Sequence, residues 1–184
     1  ETDFCTCPSE GARQIADHAK DDYPNEVCGL LAGIGQQISN AIPINNITDT
    51  PQTHYQISPS EQIKALKQID ADDLEWLGVY HSHPKSLPIP SPTDIADSTD
   101  SNLIHIIVSL KDSKPKLKAW QIHETTVIPI NLIFDAQSSA NDAHEPLSNA
   151  QKKAIILTSI ICVVLMLAIS FTLLPAAPEI TPIP

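Results

Sequence analysis

The sequence predicts an α/β domain followed by one membrane-spanning helix, and three observations carry that expectation. Segments with apolar residues at 3/4 spacing alternate with short β-branched runs over residues 9–134. Their order is helix, β-hairpin, helix, strand, short helix and then three strands, too interleaved for an all-α or all-β chain. Residues 154–174 then form an uncharged run of 21 residues, 17 of them apolar.

Residues 9–23 place Ala12, Ile15, Ala16 and Ala19 on one helical face and stop before Pro24. Residues 27–34 and 36–47 read as two strands turning near Gly33 to Gly35. Ser58, Pro59 and Glu61 supply an N-cap, a proline at the first helical position and a capping-box acid. They open a helix with Ile63, Leu66 and Ile69 on its apolar face. Residues 74–82 follow as a strand, with Leu77, Val79, His81 and His83 on one side of the alternation. Ser91-Pro92-Thr93-Asp94 repeats the Ser-Pro-x-acid opening and starts a short helix to about Ser98. Residues 103–110, 116–123 and 126–134 complete the set, with Pro129 confining the last strand to an edge or a bulge.

The 154–174 run gives a helix of about 31 Å against a hydrocarbon core of about 30 Å. Lys152 and Lys153 precede it, and residues 175–184 contain no basic residue. The positive-inside rule therefore expects a single-pass protein with its domain on the cytoplasmic side. Residues 135–153, rich in Ser, Asn, Asp and Ala, read as a flexible polar linker, and residues 175–184 as a short tail.

With 184 residues and a net charge of −11, the chain repels phosphate backbones and is not expected to bind nucleic acid. Over residues 1–151 the balance is 9 basic against 21 acidic side chains. Its four cysteines, Cys5, Cys7, Cys28 and Cys162, are too few and too scattered for a disulfide framework and suit a reducing compartment. Nothing at the N-terminus has the shape of a signal peptide, and a chain starting at Glu1 without Met is expected to lack an upstream piece.

The chemistry concentrates at His81-Ser82-His83-Pro84 and, beyond a proline-stiffened loop, at Ser91 and Asp94. Residues i and i+2 of a strand share a face, so His81 and His83 can grip one metal ion. Asp94, in the first turn of the helix opened by Ser91, would supply the third ligand. Two imidazoles and a carboxylate leave a fourth tetrahedral position for water, the layout of a catalytic zinc site. Taken singly, these signals are weak. His-x-His on a strand is usually incidental, Ser-Pro-x-Asp is usually a helix cap, Glu26 alone would be a surface acid, and Cys28 a small core residue.

Together, Pro24-Asn25-Glu26-Val27-Cys28-Gly29-Leu30-Leu31-Ala32-Gly33 and His81-x-His83-x7-Ser91-x2-Asp94 resemble the JAMM (MPN-plus) metalloprotease family over residues 8–134. The resemblance implies an MPN-type, cytidine-deaminase-like fold with a mixed, curved sheet flanked by helices. It implies Zn2+ held by His81, His83 and Asp94. Glu26 would act as general base and then acid, and Ser91 would donate to the oxyanion. The reaction implied is hydrolysis of a peptide or isopeptide bond after the C-terminal Gly-Gly of a ubiquitin-like protein. Only 40 residues separate Asp94 from Phe134, so the chain resembles the compact prokaryotic members, which act on sulfur-carrier or small modifier conjugates. A metal-free MPN scaffold, and a membrane-tethered adaptor that binds a modifier tail without turnover, are the alternatives.

The remaining candidates point elsewhere. His105 reads as a core or sheet histidine, and His18, His54, His123 and His144 have no partner in sequence. His123-Glu124 and His144-Glu145 do not complete the zincin motif, since Val127 and Ser148 occupy its second histidine position. Cys5-Thr6-Cys7 has no second pair and reads as incidental thiols.

Overall fold

The computed structural model describes residues 4–135. The elements are β1 (Phe4–Pro8), α1 (Ser9–Asp21), β2 (Cys28–Ile34), β3 (Gln37–Ile44), α2 (Pro59–Ala71), β4 (Glu75–His83), α3 (Pro92–Asp97), β5 (Ile104–Ser109), β6 (Lys116–His123) and β7 (Thr126–Asp135). The seven strands close in the order β1-β3-β2-β4-β5-β6-β7. The pairing is mixed, with β4 parallel to β5 and β1 parallel to β7, while β2–β4, β5–β6 and β6–β7 are antiparallel.

The expected sheet is mixed and curved as read, and the curvature goes on to closure because of β1, a strand the sequence reading did not include. Its buried positions alternate, with Cys5 and Cys7 both 0% exposed inside the ring. The Cys-x-Cys spacing is therefore the period-2 signature of a strand whose thiols belong to the core. β1 pairs with residues 131–135 of β7, so Pro129 lies where β7 meets only β6, consistent with an edge position.

Two apolar clusters sandwich the central strands. Ile15, Ala16 and Ala19 of α1 pack with Leu31, Tyr80, Ile106 and Val108, whereas Ala65 and Ile69 of α2 pack with Leu30, Ala32 and Val79. β2 and β4 are covered on both faces, which is why β2 reads as a continuous apolar run.

Local sequence logic was overridden at three places. Leu77 does not share a face with Val79: the pairing jumps from Leu31↔Gly78 to Ala32↔Trp76, a bulge that turns Leu77 toward the α1 cluster. A Cβ at Gly78 would collide with the Ile104 backbone, so that strand crossing requires glycine. Ile63 of α2 is 56% exposed. It lies about 200° round the helix from Ala65, so burying Ala65 and Ile69 faces it outward. Neither half of the capping box forms: Ser58 Oγ lies 3.1 Å from Ser60 Oγ, and the Glu61 carboxylate instead accepts the backbone N–H of Asn45 (2.8 Å) and its side-chain amide (2.7 Å). The hairpin turns as expected, at Gly35 with φ +59°, a left-handed conformation that suits glycine.

The linker, the apolar 154–174 segment and the tail expected from the sequence lie outside the described residues, as does Cys162. Among the described residues, no helix is long and apolar enough to cross a membrane.

Candidate metal centre

The last residues of β4 and the first turn of α3 meet at the C-terminal end of the parallel β4–β5 pair. His81 and His83, same-face neighbours on β4, hold their Nε2 atoms 3.1 Å apart. Asp94 brings Oδ1 to 3.4 Å from Nε2 of His81 and Oδ2 to 3.4 Å from Nε2 of His83. All three residues are buried. A tetrahedral ion with ligand bonds of about 2.0–2.1 Å separates its ligands by roughly 3.3–3.4 Å, so the triangle fits one zinc-sized cation. The sequence expectation that these three converge is met in space.

Each ligand has its own support. The Leu87 carbonyl can only accept, so His83 Nδ1 carries the proton at 2.8 Å, and the Nε2 lone pair of the neutral ring faces the cluster. His81 has no such anchor: its Nδ1 is buried without a hydrogen-bond partner among the described residues. Its ring is instead stacked on Tyr55, with centroids 4.5 Å apart and planes 20° apart. Asp94 is fixed by a complete capping box. The Ser91 N–H donates to Asp94 Oδ2 at 2.6 Å, and the Asp94 N–H donates to Ser91 Oγ at 3.1 Å. Ser91 is thus both helix cap and neighbour of the cluster, and its own hydroxyl hydrogen is not committed to the cap.

Electrostatics follow from this crowding. Burial pulls the His81 imidazole below its ordinary pKa and toward the neutral form. Burial acts in the same sense on His83, but the Asp94 carboxylate and the Leu87 carbonyl outweigh it and raise its pKa. Burial would raise the Asp94 carboxyl, yet the two imidazoles facing it and the Ser91 N–H hold it well below the usual range.

Glu26 enters from the start of β2. The pairing Cys28↔His81 continues through the Ser82 N–H to the Val27 carbonyl (3.0 Å) and the Val27 N–H to Ser82 Oγ (2.9 Å), which sets Glu26 level with His83. The side chain is buried, at 7% exposure. Burial pushes its carboxyl up to about 7, with His83 opposing and Asp94 adding to the rise. A carboxyl poised near neutrality beside a metal-ligand cluster is suited to accept and return a proton.

Three positioning groups were invisible in the sequence. Asn46 donates to the Glu26 carbonyl (2.8 Å) and the His54 carbonyl (3.0 Å), and accepts the N–H groups of Gln56 (3.0 Å) and Thr48 (3.2 Å). Tyr55 belongs to the loop so organised, and Leu87 acts through its backbone. None of the three lies in a spacing pattern that could have marked it. His105 is a sheet histidine as expected, 5% exposed, but among the described residues only its Nε2 is partnered, by Ser98 Oγ at 3.3 Å. His18, without a partner in sequence, meets the Tyr80 hydroxyl at 2.8 Å. Beside the cluster opens a cavity of about 680 Å³, lined by Tyr55, Trp76, Val79, Asp97, Ser98 and His105 among others.

Fold and cluster together define a JAMM-type hydrolase. The chain belongs to the prokaryotic homologues of the JAB domain, the family whose model matches residues 8–123. It is 35% identical over 112 residues to a desampylase of Haloferax volcanii, covering 58% of this chain and 80% of that protein. It is 31% identical over 121 residues to a CysO-cysteine peptidase of Mycobacterium tuberculosis, covering 63% of this chain and 82% of the relative. The solution structure of a protein from Desulfitobacterium hafniense matches with a TM-score of 0.67 at 30% identity, over 73% of this chain and 94% of that one.

Proposed function

We propose that the chain is a zinc-dependent peptidase that cleaves a peptide or isopeptide bond after the C-terminal Gly-Gly of a ubiquitin-like or sulfur-carrier protein. The observation that carries this reading is buried Glu26, on the chain that continues the β2–β4 pairing toward His83, together with three nitrogen and oxygen ligands spaced for one ion. When bound, zinc supplies Lewis acidity and eases deprotonation of water. His81, His83 and Asp94 hold the ion. Glu26 accepts the proton of the attacking water and returns it to the departing amine. Ser91 accepts the Asp94 N–H and keeps its own hydroxyl hydrogen to donate to the developing oxyanion.

Two relatives named for cleaving activity, the desampylase and the CysO-cysteine peptidase, support conjugates of small modifiers as the substrate class. The cavity has room for an extended tail, and glycines let a backbone pass close to the ion. The test is the zinc-loaded full chain against a sulfur-carrier protein joined through Gly-Gly to a lysine side chain. Cleavage at that bond, lost on chelation and lost when the last glycine is replaced by valine, is the expected result. An intact conjugate after prolonged incubation with zinc-replete protein would refute it.

We further propose that residues 154–174 cross a membrane once and leave the domain on the cytoplasmic side. The support is the uncharged run itself and the pair Lys152, Lys153 before it. In sealed vesicles, protease added from the cytoplasmic face should digest the domain. Protection from that face would overturn the orientation.

A further inference from the structure

Strand β4 sets the order of three features along one line. Trp76 and Val79 border the cavity, His81 and His83 hold the ligand atoms, and the chain then runs straight into residues 84–90. The metal centre therefore lies between the cavity on one side and this loop on the other.

The loop is built inside out. Pro84, Pro88 and Pro90 are buried, while Lys85, Leu87 and Ile89 are exposed, both aliphatic side chains at 47%. Water-facing aliphatics on a floppy loop would mean little, but this loop is pinned through its carbonyls at three successive residues. Ser109 Oγ donates to the Ser86 carbonyl, His83 Nδ1 to that of Leu87 at 2.8 Å, and Trp120 Nε1 to that of Pro88 at 2.9 Å. The two strands that hold it, β5 and β6, are joined by a turn in which Lys111 and Lys114 flank a single acid, Asp112. Five of the nine basic residues within 1–151 lie at 85, 111, 114, 116 and 118. Lys116 is paired with Asp112 at 2.6 Å, and Lys118 lies over the Trp120 ring at 5.8 Å. Lys85, Lys111 and Lys114 are exposed, and none has a carboxylate within salt-bridge distance among the described residues. The cavity bank opposite carries Asp97 and Asp100 and no Lys or Arg among its lining residues. On a chain with twice as many acids as bases, this local excess of free ammonium groups beside a rigid pair of aliphatics marks a binding surface.

We infer that residues 84–90 and the β5–β6 turn form a docking surface for an acidic segment of the acceptor protein, the one that leaves with the amine. This rests on the reading that the modifier tail occupies the cavity. With the tail on the Trp76–Val79 side, the departing chain must emerge over Lys85, Leu87 and Ile89. An acceptor whose modified lysine is flanked by Asp or Glu and an aliphatic residue complements it in both charge and shape. The surface would then select among targets of one modifier without touching the bond-breaking groups.

The test uses the full, zinc-loaded chain and two isopeptide conjugates of the same Gly-Gly-terminated sulfur-carrier protein, one to a Glu-flanked and one to an Arg-flanked lysine peptide. The Glu-flanked conjugate is expected to show a KM about ten-fold lower at low salt. The gap should shrink several-fold at about 0.5 M salt, where exposed charges are screened. The triple variant K85E/K111E/K114E should abolish or invert the preference with kcat unchanged, since none of these lysines touches the metal ligands or Glu26. Equal KM values for the two conjugates, or a preference that survives the triple variant, would overturn the inference. A KM that rises equally for both would place the modifier on this surface and overturn it as well. The unconjugated Glu-flanked peptide, followed by fluorescence anisotropy on the Glu26→Gln chain, separates this inference from the peptidase reading. Salt-sensitive binding lost in the triple variant supports the surface even if no conjugate is cleaved, and absence of binding to the Glu26→Gln chain sinks it even if conjugates are cleaved.

Discussion

The loop after β3 holds Glu26 at two points, the Asn46 side chain on its carbonyl and the Pro51 carbonyl on its N–H, and exchanging Asn46 for aspartate isolates the first. Asn46→Asp preserves shape and both accepting positions for the Thr48 and Gln56 N–H groups, but it replaces two donated hydrogen bonds with oxygen facing oxygen at the Glu26 and His54 carbonyls. Two net hydrogen bonds contribute about 1 kcal/mol each, and the unpaired carbonyls add a repulsive cost, so about 2–4 kcal/mol of stability should be lost. Asn46→Ala, which loses all four hydrogen bonds without adding charge, should fall at the upper end of that range, about 4 kcal/mol. Because the Glu26 carbonyl is released while its N–H stays on the Pro51 carbonyl, a displacement of about 1 Å would lower kcat by up to about 100-fold. Urea unfolding of the zinc-loaded chain gives the first quantity, and turnover of a Gly-Gly-linked conjugate gives the second. An aspartate variant within about 0.5 kcal/mol of the parent, with unchanged kcat, would show that the loop does not position Glu26 and would refute the reasoning.

Other outcomes follow from the same geometry. His81→Ala should lose bound zinc and activity together, whereas Ser91→Ala should retain zinc and lose turnover by about 100-fold, as measured by metal analysis and single-turnover kinetics. Burial lowers the pKa of His105 to about 4, with the charge of His81 acting in the same sense. The unfolded chain binds this proton first, so its contribution is complete above about pH 6.5 and shrinks as pH falls toward 4, by about 3 kcal/mol in all. The stability difference between the parent and His105→Asn, followed from pH 7 to 4, should narrow by that order; a constant difference would contradict it. Burial pushes the thiols of Cys5 and Cys28 up to about 12 and that of Cys7 to about 11. In the folded domain these thiols should resist iodoacetamide at pH 8 and react only on denaturation, as read by mass spectrometry.

What could be read from the chain were features whose physics is local. His81 and His83 share a face because a strand repeats every two residues, and Asp94 turns back because Ser91 caps its helix. Glu26 could be singled out only through family resemblance, since the pairing of β2 with β4 that brings it level with His83 joins distant segments. The same limit hid β1, whose partners on β7 lie at the other end of the domain, and so hid the closure of the sheet and the meaning of Cys5 and Cys7. Ser58 and Glu61 carry a valid capping pattern, but Asn45 competes for the carboxylate from β3's end and wins with two hydrogen bonds. Leu77 broke the alternation because the β2–β4 register shifts between Leu31 and Ala32, a bulge set by pairing with a distant strand. Asn46, Tyr55 and Leu87 act through loop conformation, and no periodicity encodes that.

The Glu26→Gln variant of the full chain, compared with the parent for zinc content and for cleavage of a Gly-Gly-linked conjugate, tests the metal centre and its proton carrier most directly. Amide for carboxyl keeps the shape and removes the proton carrier, so zinc should remain near one equivalent while kcat falls by about 1,000-fold or more. A variant that keeps its zinc and cleaves at the parental rate would contradict the assignment of Glu26. A parent chain that binds no zinc would contradict the metal centre itself.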